Sequence, residues 1–149
     1  MGNIMRIAIG ADHGGYTLKE KIKIAKGEIK WVDVGAFNDD SSNYAEFAHA
    51  VAKKVQNHEV DFGILICRSG IGVSIAANRH KGVYAALCFN KLMATSARSH
   101  NNANILCFAA DYTSFDQAQE MVQAFLSTVF ESGGRHEVRV KTIDDLTGK

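Results

Sequence analysis

The sequence contains no proline and only three cysteines among its 149 residues. Without proline, turns must be formed by glycine, asparagine, aspartate and serine. Cys67, Cys88 and Cys107 each end or lie in an apolar run, and none belongs to a C-x-x-C pair. This odd number and spacing argue against a disulfide framework and against a zinc site built on cysteine pairs.

The chain also lacks an excess of one charge and long apolar runs. Its formal net charge is +1, and no basic run is interleaved with aromatic residues, so nothing indicates a nucleic-acid surface. No run approaches the roughly 20 apolar residues of a membrane span. Residues 1–9 lack the long apolar core of a signal peptide. We therefore expect a cytoplasmic protein with no nucleic-acid or membrane partner.

The composition is that of a globular protein, with 46% apolar and 22% charged residues. Apolar runs typical of buried strands alternate with segments of helical periodicity. The expected strands lie at 4–9, 29–34, 62–66, 82–88 and 104–109, and the expected helices at 16–26, 45–56, 73–78, 91–99, 115–129 and 135–146. In the first helix, Leu18, Ile22 and Ala25 form the predicted buried face and lysines the exposed one.

This alternation predicts an α/β protein: one three-layer α/β/α, Rossmann-like domain over residues 1–149, with a five-stranded parallel sheet. Such sheets bind ligands at the carboxyl ends of their strands. Polar residues follow nearly every predicted strand: Asp12 and His13, the loop to Tyr44, Cys67 to Gly72, Asn90 and Asp111.

The third strand leads into Cys67-Arg68-Ser69-Gly70-Ile71-Gly72. Its two glycines permit a tight turn that directs several backbone N–H groups toward one point near the start of a helix. Such a pocket favours an anion, including the thiolate form of Cys67, which could abstract a proton or attack as a nucleophile. The alternative is a small buried cysteine at a strand end, followed by glycines that only form a turn.

Two other motif interpretations are weaker. The segment 10–15, GADHGG, has glycines after a strand but is not GxGxxG, and its Asp-His pair would crowd a pyrophosphate. Asp12 could instead cap the following helix. Phosphatase loops of the Cys-x5-Arg type hold phosphate against a thiolate, but the sixth residue after Cys67 is Val73, so that loop lacks its arginine.

Three cationic or titratable residues near helix ends also have two interpretations. His100 is either catalytic or a solvated residue favoured by the helix dipole. Arg135 and Arg139 lie one helical turn apart and share a face, which suits phosphate binding. The alternative for this pair is an ordinary solvated helix face.

A set of motifs spans the chain in a fixed order. They are GADHGGY (10–16), DVG (33–35), GILIC followed by SGIG (63–72), SIAAN (74–78), AALC (85–88), ARSHNNAN (97–104), and GRH with RV (134–140). In order and spacing, over about residues 5–146, the sequence resembles the type-B ribose-5-phosphate isomerase family. That family shares its fold with galactose-6-phosphate isomerase subunits and allose-6-phosphate isomerase.

The resemblance implies an aldose-ketose isomerase without metal or cofactor, which interconverts ribose 5-phosphate and ribulose 5-phosphate through an enediolate. Cys67 would be the base that moves the proton between C2 and C1, and Ser69 would handle the hydroxyl proton. Backbone amides from Arg68 through Gly70 and Ile71 to Gly72 would stabilise the enediolate oxygen.

The resemblance also assigns the sugar contacts. His100, with Asp12 nearby, would open the furanose ring by general acid-base catalysis. Asn101 and Tyr44 would hold sugar hydroxyls.

For the phosphate, the resemblance implies His13, Arg135 and Arg139 as ligands. It further implies a homodimer, or a tetramer, with an active site shared between subunits. His100, Asn101 and the arginines would then face Cys67 of the other subunit, and the helix at about 135–146 would pack on the partner.

The sequence departs from the family pattern at three positions. Arg68 follows the cysteine where the family usually has glycine, and we include it among the substrate-binding residues. Asp111 follows the fifth strand where relatives commonly carry an arginine, and Ala45 follows Tyr44 in place of proline. Three alternatives stay open: a hexose-6-phosphate isomerase, a non-catalytic sugar-phosphate-binding subunit, and a redox role for Cys67.

Overall fold

A computed structural model describes residues 4–148 of the chain. The strands are β1 (Arg6–Ala11), β2 (Lys30–Gly35), β3 (Phe62–Cys67), β4 (Ala85–Leu87) and β5 (Ile105–Ala109). The helices are α1 (Tyr16–Ala25), α2 (Tyr44–Gln56), α3 (Ile71–Ala77), α4 (Lys91–Ser99), α5 (Phe115–Ser127) and α6 (Arg135–Thr147), with a 3-10 turn at Ala110–Tyr112. The ends of the predicted domain, residues 1–3 and 149, lie outside the described residues.

The five strands form one parallel sheet in the order β2-β1-β3-β5-β4. Buried side chains from α1, α4 and α5 pack on one face of the sheet, and those from α2 and α3 pack on the other. The predicted three-layer, five-stranded parallel fold is therefore confirmed. None of the helices within residues 4–148 has the length and apolar character that a membrane crossing requires.

The strand order reverses direction between β1 and β3, because β2 lies on one side of β1 and the remaining strands lie on the other. Parallel sheets of this kind form a crevice at such a switch point, beyond the carboxyl ends of the two strands. Asp12 follows β1, and Cys67 is the last residue of β3. The topology thus brings these two predicted site residues to the same edge of the sheet.

The fourth strand is shorter than predicted, covering Ala85–Leu87 instead of 82–88. Asparagine side chains bind much of the segment that precedes it. Asn104 accepts from the Tyr84 N–H and donates to the Gly82 carbonyl oxygen, and Asn78 bonds to both backbone groups of Ala85. The apolar run therefore continues beyond the paired strand, and asparagine side chains supplement the backbone bonds that Tyr84 and Cys88 make with the neighbouring strand segment.

The predicted faces of α1 are partly wrong. Ala25 is exposed, whereas Lys19 is completely buried. The Lys19 ammonium lies 2.6 Å from Asp33 Oδ2. The Lys23 ammonium lies at the same distance, 2.6 Å, from the same oxygen. Burial alone would raise the pKa of Asp33, but the hydrogen bonds from both lysines outweigh it and lower that pKa. The buried charge is tolerated because it is paired.

Candidate active site

The turn after β3 places a backbone donor on the Cys67 sulfur. Cys67 is 4% exposed, and the Gly70 N–H donates to its Sγ at 3.2 Å. Gly70 has a φ of +75° and directly precedes α3. A β-carbon at Gly70 would lie 2.5 Å from Leu87 Cδ1 and 2.9 Å from the Phe108 backbone carbon. Only glycine satisfies both the backbone angle and this close approach, so the turn depends on it.

Ser69 and Ile71 continue this turn. The Ile71 N–H donates to Ser69 Oγ at 3.2 Å, and Ser74 Oγ donates to the Ile71 carbonyl oxygen at 2.8 Å. Two of the amides predicted to face an oxyanion, those of Gly70 and Ile71, thus bond to Cys67 and Ser69 side chains. The thiol and the hydroxyl are therefore held within the same short turn.

Asp12 and His13 are fixed at the end of β1. Asp12 is 5% exposed, and its Oδ1 accepts from the Gly14 and Gly15 N–H groups at 3.0 and 3.2 Å. Asp12 therefore stabilises the turn before α1 without capping the helix, because the N-cap residue is Gly15 and no side chain caps it. Asp12 also lines the cleft described below.

His13 and Ser42 bond reciprocally across two loops. The His13 N–H donates to Ser42 Oγ at 3.0 Å, and the Ser42 N–H donates to His13 Nδ1 at 3.2 Å. In a neutral ring, an accepting Nδ1 leaves the proton on Nε2. His13 is therefore oriented to donate from Nε2. Sequence reasoning missed Ser42, because nothing in the spacing of a polar loop marks one serine as a histidine partner.

Tyr44 begins α2 and lies against the loop that starts α3. Asn43 caps α2, its side chain accepting from the Ala45 N–H at 3.0 Å. A β-carbon at Gly72 would lie 2.5 Å from Tyr44 Cζ. The aromatic ring of Tyr44 therefore occupies space that a side chain at position 72 would fill.

Gly72→Ala should therefore push the Tyr44 ring out of position. We expect KM to rise with little change in the free energy of unfolding, because the exposed ring can turn aside and alanine favours the helix at this position. Chemical denaturation and initial-rate kinetics measure both effects. Gly27→Ala is the matched control, since a β-carbon there has only an ordinary contact of 3.9 Å. Unchanged KM in Gly72→Ala would show that the ring does not contact substrate.

A cleft of about 430 Å³ lies at the carboxyl ends of β1 and β3, and the predicted site residues His13 and Gly70 do not line it. It is lined by Asp12, Tyr44, Cys67, Arg68, Ser69, Ile71, Gly72 and Ile75. The structure thus brings together a thiol, a hydroxyl, a carboxyl group and a phenol. This set can move protons on a small polar substrate.

Arg68 and Asp111, two of the departures from the family pattern, are bonded to each other. Arg68 Nε lies 3.1 Å from Asp111 Oδ2, and the Asp111 N–H donates to the Arg68 carbonyl oxygen at 3.1 Å. The side chains are 65% and 40% exposed, so solvent weakens the ion pair. The pairing still means that Asp111 does not present an uncompensated negative charge at the cleft.

Other predicted site residues lie outside this cleft. His100 Nε2 is 3.2 Å from Glu131 Oε2, and its ring stacks on His136 with centroids 4.2 Å apart. Asn101 lines a second cavity, of about 360 Å³, together with Tyr84. Within the described residues of one copy, neither His100 nor Asn101 lines the cleft that contains Cys67.

The two arginines of α6 are exposed and also do not line that cleft. Helix α6 is attached to its own sheet by a hydrogen bond from the Tyr84 hydroxyl to Asp144 Oδ2. Burial, followed by the interaction with Asp144, raises the pKa of Tyr84 to about 12, so the phenol remains a donor. This bond holds the C-terminal part of α6 beside the residue that precedes β4.

Comparison with known proteins shows the family to which the chain belongs. Residues 7–143 match the model of the ribose/galactose isomerase family. Ribose-5-phosphate isomerase B from Escherichia coli is 38% identical over 140 residues, which cover 93% of each chain.

Two solved structures are also similar. A ribose 5-phosphate isomerase from Thermotoga maritima has 44% identity and a TM-score of 0.93, covering 96% of this chain and 99% of that one. Ribose-5-phosphate isomerase B from Mycoplasma genitalium, solved with bound ribulose-5-phosphate, has 39% identity and a TM-score of 0.90, covering 99% of both chains. The chain described here therefore belongs to the ribose/galactose isomerase family.

Proposed function

We infer that this protein is an aldose-ketose isomerase that interconverts ribose 5-phosphate and ribulose 5-phosphate. The observation that carries this conclusion is the Cys67 thiol, held by the Gly70 N–H at the end of β3 in a polar cleft. Relatives named ribose-5-phosphate isomerase B share the fold, and the Mycoplasma genitalium structure holds ribulose-5-phosphate.

We propose Cys67 as the base. Its thiolate would take the proton from C2 of the open-chain aldose, leaving an enediolate, and the resulting thiol would return a proton to C1. Ser69 would pass the proton between the two substrate oxygens. Backbone amides between Arg68 and Gly72 would donate to the developing oxyanion, where preorganised donors lower the barrier most.

Ring opening is assigned to His100 with Asp12. The furanose must gain a proton on its ring oxygen and lose one from its anomeric hydroxyl, which a histidine can accomplish by acid-base catalysis. Asn101 and Tyr44 would hold the sugar hydroxyls. Since His100 and Asn101 do not line the Cys67 cleft of the same copy, this assignment requires a second copy.

A homodimer with a shared site meets that requirement. Ile71 and Ile75, which line the cleft, are 53% and 55% exposed, and Leu92 on α4 is 73% exposed. Clusters of this kind mark protein interfaces. Helix α6 has only Val140 as a buried residue and exposes Val138, Ile143 and Leu146. We propose that these surfaces pack against the partner.

For the phosphate we propose His13, Arg135 and Arg139. The Nε2–H of His13 is a suitable donor, and the two arginines share one face of α6. Arg68 would contribute positive charge at the cleft, although Asp111 partly neutralises it.

Arg139→Ala should raise KM for ribose 5-phosphate by about 10- to 100-fold, because it removes a charge-assisted hydrogen bond of about 1.5–3 kcal/mol. We expect kcat to change little. Lys141→Ala is the matched control, since it removes an exposed cation from the same helix. An equal effect of both substitutions would indicate general electrostatics in place of a phosphate contact.

We also propose a cytoplasmic location, because the substrate is a phosphorylated metabolite and all three cysteines are free.

A coupled isomerase assay tests the proposed function. Ribose 5-phosphate and allose 6-phosphate are supplied separately in buffer containing chelator, and ketose formation is followed. Faster turnover of the pentose, insensitive to chelator, is expected. Preference for the hexose would favour the hexose-6-phosphate isomerase. Binding of both sugars without turnover would favour a non-catalytic subunit.

A further inference from the structure

Three potential metal ligands converge where α4, the segment after α5, and α6 meet. The ligand atoms of His100, Glu131 and His136 all lie within 4.8 Å of one another. Among the residues that the structure describes, this is the one cluster of at least three histidine, cysteine or acidic side chains with ligand atoms that close. None of the functions assigned above uses Glu131 or His136.

We infer that His100, Glu131 and His136 form a binding site for a divalent transition-metal ion of the Zn²⁺ type, and that its occupation inhibits the isomerase. Two imidazoles and one carboxylate are a ligand set that suits Zn²⁺, with water completing the tetrahedron. Ca²⁺ and Mg²⁺ prefer oxygen ligands throughout, so they do not fit this set.

The backbone holds two of the ligands close together. The Glu131 N–H donates to the Ser99 carbonyl oxygen at 2.9 Å, which fixes Glu131 beside the end of α4. His100 and Glu131 already approach to 3.2 Å, about the separation of two ligands of one tetrahedral Zn²⁺. A metal ion would replace this hydrogen bond with two coordinate bonds.

The third ligand needs a side-chain rotation. The rings of His100 and His136 stack nearly parallel, with an interplanar angle of 13° and centroids 4.2 Å apart, so their in-plane lone pairs lie in two separate planes. One ring must turn for both lone pairs to meet a single ion. The His100 side chain is 45% exposed, so solvent leaves room for that rotation.

Some charged groups near the three ligands favour a bound cation, and others oppose it. Glu131 supplies a negative charge. Arg135 and Arg139 are close enough to influence His136 and oppose a cation. We therefore expect reversible binding, weaker than that of a structural zinc site.

Inhibition follows because coordination occupies the imidazole of His100. A metal-bound ring nitrogen can neither donate nor accept a proton, so the ring-opening step loses its acid-base group. The inhibition rests on the role proposed for His100, whereas metal binding does not.

Cobalt spectroscopy on the full-length protein tests the binding. Protein freed of metal with chelator and dialysed is titrated with Co²⁺, and Zn²⁺ then displaces it. We expect visible d–d bands without a thiolate-to-cobalt charge-transfer band. His136→Asn and Glu131→Gln should each weaken binding by at least about tenfold, because each removes a ligand.

His49→Gln is the matched control. His49 Nδ1 lies 2.7 Å from His80 Nε2, so this exposed pair is the competing place for a metal ion. Unchanged Co²⁺ affinity in His49→Gln supports the proposed site. Loss of binding in His49→Gln, a thiolate charge-transfer band, or wild-type affinity in both His136→Asn and Glu131→Gln would overturn it.

Kinetics separate the two parts of the proposal. Zn²⁺ should inhibit the wild-type enzyme reversibly, and His136→Asn should require at least about tenfold more Zn²⁺ for the same fractional inhibition. Site-specific Co²⁺ binding without inhibition would refute the inhibitory part. An enzyme that is inactive on ribose 5-phosphate under all conditions would instead refute the proposed function, while the spectra still decide the site.

Discussion

Cys67→Ala should lower kcat for ribose 5-phosphate by about 10³-fold with little change in KM. The thiol would act on the proton at C2 only as the transition state forms, so its loss affects turnover more than binding. The substitution also removes the sulfur that accepts from the Gly70 N–H. Initial rates in both directions, with circular dichroism to confirm folding, measure the effect.

Cys88→Ala is the matched control for this result. Cys88 is also buried, and burial raises its pKa to about 11, so it remains a thiol at neutral pH. We expect Cys88→Ala to retain turnover. Cys67→Ser addresses the redox alternative: it should abolish turnover, whereas a purely redox cysteine would lose only its peroxide sensitivity. Near wild-type turnover in Cys67→Ala would mean that another group is the base.

His100→Asn should have an effect that depends on the direction of reaction. Ribose 5-phosphate exists mainly as a furanose, so the forward reaction needs ring opening and should slow by about 10²-fold or more. Ribulose 5-phosphate has no free hydroxyl in position to close a furanose and is already open. Its conversion to the open-chain aldose should therefore fall much less, by under about tenfold, since proton transfer at C1 and C2 remains intact.

The two rates are measured with purified substrate from either side. His58→Asn is the control, because His58 is exposed with a φ of +58°, a backbone angle that asparagine tolerates. It should leave both rates unchanged. An equal loss in both directions for His100→Asn would show that His100 acts in proton transfer or in structure and not in ring opening.

The fold and the Cys67 turn could be predicted because their signals are local. Alternating apolar runs and helical periodicity determine the layers, and a strand followed by closely spaced glycines determines the turn. Gly70 indeed has the positive φ that such a turn needs. The parallel topology then places Asp12 next to Cys67 without any knowledge of contacts.

Contacts between distant side chains could not be predicted in this way. Lys19 is on the predicted exposed side of α1, yet Asp33 on the adjacent strand provides a buried partner. Arg68 and Asp111 form an ion pair although they lie 43 residues apart in the chain. Both depart from the family pattern, and the structure shows that the two departures are partners. Periodicity describes one element at a time, so it carries no information about such partners.

The position of His100 outside the Cys67 cleft is another feature that periodicity does not predict. Resemblance implied that the two residues meet only between subunits, and the described residues of one copy show the cleft without His100. Whether the second copy completes the site is a property of assembly, which neither periodicity nor the fold of one chain determines.

Mixing two inactive variants is the most direct test of an isomerase site built from Cys67 of one copy and His100 of another. Cys67→Ala and His100→Asn, each with a different affinity tag, are unfolded together and refolded, and ribose 5-phosphate turnover is measured. Random pairing makes about half of the dimers mixed, each with one intact site of two, so about a quarter of wild-type activity should return. Activity no higher than the average of the two separate variants would contradict the shared site and place both residues in one chain.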